Sequence, residues 1–215
     1  MRRQSAVAVL LSLLLTGCGP HRPPVYVVKR GDTVYSIALH HGLDYHDLAR
    51  WNHLPPDDLI TPGQHLFLAA PHGATAVPVV PQVHAVSPPP GPPIAWAWPA
   101  DGHVSSGVVK PNGGIGLDIM GDAGEVIRAA ADGRVVYTGS GLRAYGELVI
   151  IKHDERYLSA YGYNASVLVQ EGQDVRAGMP IATMGPGTTG RPTLYFEIRL
   201  QGRPVDPLTL LPARP

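Results

Sequence analysis

One cysteine, Cys18, stands in 215 residues, so no disulfide can cross-link the chain internally and a disulfide-stapled fold is excluded. Neither sign of charge dominates: 17 basic residues face 17 acidic ones. Setting aside residues 1–17, which carry Arg2 and Arg3 and no acid, leaves the rest slightly acidic. Nothing there suggests a nucleic-acid partner. The apolar run at residues 6–15 is too short to cross a bilayer as a helix. From Ile94 onward no helical period of useful length appears, which excludes a helical bundle for that half. The same stretch has only two histidines, His103 and His153. What is present is a hydrophobic fraction of 44%, enough to bury a core, and 25 Gly and 23 Pro that fall in turns and in one linker.

The N-terminus has the order of a secretory signal: basic residues, the apolar run, then Leu-Thr-Gly-Cys at 15–18. That ending resembles a bacterial lipobox. The resemblance implies cleavage after residue 17, lipidation of Cys18 and, with Gly19 rather than Asp following, an outer-membrane anchor facing the periplasm. Residues 18–24 form a short tether. In residues 25–69, a strand at 25–29 precedes a helix that Asp32 can cap, with Val34, Ile37 and Ala38 as its apolar face. Gly42 ends that helix, Asp44 can cap a second, and residues 64–68 make a closing strand, giving βααβ. The stretches Tyr-Val-Val-Lys-Arg-Gly-Asp-Thr-Val-Tyr-Ser-Ile-Ala at 26–38, Leu-Ala-Arg-Trp-Asn at 48–52 and Ile-Thr-Pro-Gly-Gln-His-Leu at 60–66 resemble a LysM module. LysM modules bind N-acetylglucosamine-containing glycan through two loops, and the resemblance assigns Gly31, Asp32, Thr33 and Ile60 to that role. Trp51, on the second helix, is expected in the core.

Residues 70–93 are a linker of Pro, Val and Ala able to reach on the order of 70 Å when extended. The tether's reach is roughly 20 Å, so the N-terminal module is expected near the membrane while the C-terminal domain ranges widely. Residues 94–215 read as all-β: short β-branched runs at 125–129, 134–137, 148–152 and 180–184 are separated by Asp-Gly, Glu-Gly and Ala-Gly turns. Trp96 and Trp98 are expected in a packed entry strand. The glycine-rich Gly-Pro-Gly-Thr-Thr-Gly at 185–190 precedes a strand rather than a helix, which makes it a loop and not a dinucleotide site.

Three stretches carry a further resemblance: Asn-Gly-Gly-Ile-Gly-Leu-Asp at 112–118, Tyr-Leu-Ser-Ala-Tyr-Gly-Tyr at 157–163 and Thr-Leu-Tyr-Phe-Glu-Ile at 193–198. They resemble the LytM (M23) zinc peptidases, a duplicated-hybrid-motif β fold. In active members the first stretch reads His-x-Gly-x-Asp, the second ends Tyr-x-His and the third begins His-x-His. Gly114, Tyr163 and Tyr195 stand at the histidine positions, and Asp118 alone is kept. A catalytic zinc needs about three protein ligands, and a phenol, with a pKa near 10, is a poor one. No metal, no cofactor and no catalytic residue are therefore expected. Alternation along residues 193–200 turns Tyr195 away from the face of Leu194, Phe196 and Ile198, and the same period places Tyr157, Ser159, Tyr161 and Tyr163 on one face. Gly114, Asp118, Tyr161, Tyr163 and Tyr195 are accordingly expected to line one groove.

Taken together, the lipobox, LysM module, Pro-rich linker and degenerate LytM domain resemble the NlpD-type murein hydrolase activators. The fold class is α+β, a small βααβ module followed by an all-β domain. The resemblance implies an outer-membrane lipoprotein that binds peptidoglycan glycan strands and activates a periplasmic N-acetylmuramoyl-L-alanine amidase in septal murein splitting. A non-activating wall tether and a working zinc endopeptidase are the alternatives.

Overall fold

A computed structural model describes residues 23–55, 58–70, 93–109 and 115–214. Cys18 and Gly114 lie outside the described residues. In the N-terminal module β1 (Val25–Val27) pairs antiparallel with β2 (His65–Phe67), and α1 (Val34–His41) and α2 (Tyr45–Trp51) lie between them. The βααβ order is as expected. The cap of α1 is not: Thr33 rather than Asp32 holds it, in a reciprocal box in which Thr33 Oγ1 accepts from the Ser36 amide and Ser36 Oγ accepts from the Thr33 amide. Asp32 instead folds the loop after β1, accepting from the Tyr26 hydroxyl and the Lys29 amide at 2.7 Å each. Gly42 ends α1 in the left-handed region at φ 66°, and Asp44 caps α2 by accepting from the His46 amide. The Asn52 side chain closes the module, donating to Leu48 O and Phe67 O and accepting from the Phe67 amide.

The C-terminal domain is two antiparallel sheets. The larger has eight strands, in the order β10 (Asp174–Val175), β6 (Gly133–Gly139), β7 (Leu148–Lys152), β8 (Tyr157–Gly162), β12 (Thr193–Leu200), β4 (Ile115–Met120) and β3 (His103–Val109), with β13 (Arg203–Val205) also paired to β12. The smaller runs β5 (Val126–Arg128), β11 (Pro180–Met184), β9 (Asn164–Val167). Between the sheets lies a core built from one parity of each strand, including Leu117, Ile119, Val149, Ile151, Tyr161, Leu194, Phe196 and Ile198. Trp96 and Trp98 pack against it from an irregular segment rather than a strand, with Trp98 Nε1 donating to Pro212 O.

The opposite parity of the large sheet is buried too. Tyr137, Leu148, Ile150, Leu158, Ala160 and Tyr195 belong to one cluster with Val34, Ile37, Ala38, Leu39, Tyr45 and Leu48 of the N-terminal module. This explains the unbroken apolar run of β7, four of whose five residues are buried. The two parts of the chain are thus packed together, which corrects the expectation of a C-terminal domain ranging freely. Trp51 is half-buried and belongs to neither cluster.

Candidate functional site

Antiparallel register brings the surviving pieces of the site together on one face of the large sheet. Tyr195 on β12 stands directly opposite Asp118 on β4 and Gly162 on β8. Tyr163 follows Gly162 at a left-handed φ of 65°, unusual for an aromatic residue. That one backbone angle breaks the alternation of β8. Tyr161 points into the core between the sheets, 0% exposed, where its hydroxyl accepts from the Ala130 amide and from Ser159 Oγ. Tyr163 turns the other way and its ring lies 6.2 Å from that of Tyr195. Tyr161 is therefore not a groove residue, and the four odd positions from Tyr157 to Tyr163 do not share a face.

Tyr195 does face away from Phe196, as alternation requires, yet it is 0% exposed. Its ring rests on Gly116, where a Cβ would come within 2.8 Å of the ring and 2.5 Å of Phe196 O, so only glycine fits beneath it. Tyr145 meets the ring edge-on at 5.6 Å. The Tyr195 hydroxyl donates to Glu197 Oε2 at 2.8 Å, Tyr145 reaches the same oxygen at 3.4 Å, and Arg199 Nε pairs with Glu197 Oε1 at 2.5 Å. Arg199 Nη1 then donates to Gly202 O. Burial first, then the charge and bond of Glu197, push the Tyr195 phenol far above its ordinary value. Tyr195 is thus a buried ring committed, as donor, to a buried ion pair.

Zinc does not fit this donor set. Asp118 is one carboxylate, Tyr195 is held protonated, and among the described residues no three His, Cys, Asp or Glu side chains converge as metal ligands do. Tyr145, Glu197 and Arg199 complete the cluster without having been singled out in the sequence. Glu197 and Arg199 were legible as the polar parity of β12, whereas Tyr145 arrives from a loop that gives no periodic signal. His153 keeps clear of the cluster: Nδ1 pairs with Asp132 O and Nε2 with Ser159 Oγ, both at 2.7 Å, and burial pushes its pKa down to about 4.

On the N-terminal module, Gly31 at φ 84° and Thr33 flank Asp32, and Ile60 is half-buried against the module's core. The Tyr26 hydroxyl bonded to Asp32 is pushed up to about 12, by burial and then by Asp32. Tyr26, which holds Asp32, packs against the same cluster as Tyr137 of β6, so this loop lies at the seam between the two parts of the chain.

These features define a protein with a LysM module and an M23-type domain. The sequence matches the LysM domain over residues 26–69 and peptidase family M23 over residues 113–207. It is 44% identical over 230 residues to the lipoprotein NlpD/LppB homolog of Pseudomonas aeruginosa, covering 88% of this chain and 77% of that protein. To the uncharacterized lipoprotein YgeR of Escherichia coli K12 it is 38% identical over 236 residues, covering 98% and 94%. The chain belongs to the NlpD/LppB family of lipoproteins. To the murein hydrolase activator NlpD of Escherichia coli K12 it is 52% identical over 120 residues, covering 55% of this chain but 32% of that one.

Proposed function

We propose that this lipoprotein, anchored in the outer membrane through Cys18 and facing the periplasm, binds peptidoglycan through Gly31, Asp32, Thr33 and Ile60 and activates a cell-wall amidase without cleaving murein itself. The observation that carries this reading is Tyr195: at a position that the M23 resemblance gives to a histidine, it is a buried ring bonded to Glu197, which is itself paired with Arg199. Relatives named murein hydrolase activators support the same reading. The partner is a periplasmic N-acetylmuramoyl-L-alanine amidase, and the setting is septal splitting that separates daughter cells. Activation is a shift of population, effective only to the extent that this protein binds the open amidase more tightly than the closed one.

Dye release from purified sacculi tests this with amidase alone, this protein alone and the two together. The expected outcome is release above the amidase alone only in the mixture. Equal release with and without this protein, for every periplasmic amidase of the same cell, overturns the activator reading and leaves a tether.

A further inference from the structure

The two-stranded ribbon of the LysM module has one covered face and one bare one. Tyr26 and Leu66 turn inward to the module's core, and the directly opposed pairs Val25–Phe67 and Val27–His65 turn outward. With the module packed on the C-terminal domain, Val25, Val27 and Phe67 are still 49%, 47% and 41% exposed. An aromatic ring and two β-branched side chains thus stand together in water on a face where an antiparallel ribbon ordinarily carries polar residues. The chain around them has no acid: residues 23–30 and 64–70 include Lys29, Arg30 and His65, all exposed, and neither Asp nor Glu.

The place of this patch in the chain names its occupant. Residues 19–24 are all that separates Cys18 from β1, a reach of roughly 20 Å. The Pro24 carbonyl accepts from the Leu68 amide, so the chain enters the ribbon already bonded to it. A lipid on Cys18 therefore holds the ribbon beside the bilayer surface. Three half-exposed apolar side chains are too small a patch to bind a membrane from solution, but beside an anchor the same contact is intramolecular and a weak second signal suffices. Basic groups next to apolar ones suit a surface of anionic headgroups.

We infer that the outer face of the β1–β2 ribbon, with Val25, Val27, His65 and Phe67 at its centre and Lys29 and Arg30 at its edge, is a lipid-contact surface that seats the module on the bilayer. The inference rests on the anchoring at Cys18 proposed above. Seated in this way, the module turns α1 and α2 away from the lipid, and the C-terminal domain packed on those helices is held off the membrane.

The chain from residue 18 onward has one thiol, Cys18, which couples it to vesicles of phosphatidylethanolamine and phosphatidylglycerol that carry a maleimide lipid. The reference is the same chain capped with a soluble maleimide and mixed with the same vesicles. Hydroxyl-radical footprinting reads the face: oxidation of Phe67 and His65 is expected to fall several-fold in the coupled chain, with Leu168, 53% exposed next to β9, unchanged. In the coupled double variant Val25→Glu and Phe67→Glu, matched to wild type in melting temperature, the protection of His65 is expected to be lost. The comparison of coupled with capped wild type stands without the variant. Equal oxidation of those two overturns the lipid contact, as does protection of His65 that persists in the acidic variant. Protection of the capped chain by purified sacculi assigns the face to glycan, and protection that grows with the concentration of capped chain assigns it to a second copy; either overturns the inference. Metabolic lipid labelling in cells tests the anchor separately. Without label at Cys18 the anchor and the seat fall together, whereas a labelled Cys18 with an unprotected face removes the seat alone.

Discussion

Tyr195 shows how a residue's neighbours decide its role. Alternation fixed its direction correctly but could not say that the second face of β12 is covered, because the covering atoms come from residues distant in sequence. In isolation Tyr195→Ala reads as mild. With the ring buried on Gly116 and its hydroxyl on Glu197, Tyr195→Ala is expected to cost about 3–5 kcal/mol. Tyr195→Phe keeps the ring and leaves Glu197 short of a buried donor, at about 1–3 kcal/mol. Urea melts of both variants check this, and a Phe variant as stable as wild type would mean that the hydroxyl contributes nothing. His153 provides a pH signature. Its folded pKa of about 4 lies below the ordinary 6.5, so the neutral ring's contribution is fully present above about 6.5 and is lost as pH falls toward 4. His153→Gln should flatten the fall in melting temperature across that window, measured by calorimetry at several pH values.

Among the elements, those with strong local signals were readable. Strands β7 and β11 fall at the residues that β-branched runs and glycine turns mark out, β12 falls at the alternating stretch 193–200, and Asp44 and Gly42 bound α2 and α1 as their chemistry suggests. Legibility fails where one backbone angle or one residue of offset intervenes. At Tyr163 a left-handed φ reverses its own side chain, while Tyr161 stays on the core face. At α1 the cap moves from Asp32 to Thr33 because a better bonded use exists for the aspartate, in the loop with Tyr26 and Lys29. Two substitutions in the module separate these roles. Thr33→Ala breaks the capping box and should lower stability by about 1 kcal/mol. Asp32→Ala frees the Tyr26 hydroxyl and opens the loop proposed to hold glycan, so at temperatures where it remains folded it should lose more peptidoglycan pull-down than Thr33→Ala does. Equal pull-down by the two folded variants would argue against Asp32 as a glycan contact.

Over the whole molecule, the family match and the two-part organisation were apparent in the sequence, whereas the docking was not: the linker's composition speaks for reach and is silent on whether its ends meet. Gly202 offers a probe of that docking. It sits at φ 70°, a region asparagine tolerates, and a Cβ there would fall 2.3 Å from Asp44 Cα. Gly202→Asn should keep the β12–β13 turn and push the module away, which small-angle scattering reads as a larger radius of gyration. An unchanged radius would mean that the seam absorbs the intrusion.

The tie between the two parts, residues 70–93, has a consequence in the arithmetic of tethered binding. A tether of this length holds the two parts of one chain at an effective concentration on the order of millimolar. A contact that would be too feeble to detect between separate chains, with a dissociation constant of about the same size, is then roughly half closed within one molecule. Near such a midpoint an input of about 1.4 kcal/mol changes the ratio of states tenfold. The seam here, with Tyr137, Leu148, Ile150 and Leu158 buried against α1 and α2, lies on the closed side of such a midpoint, and the tether adds to what holds it there.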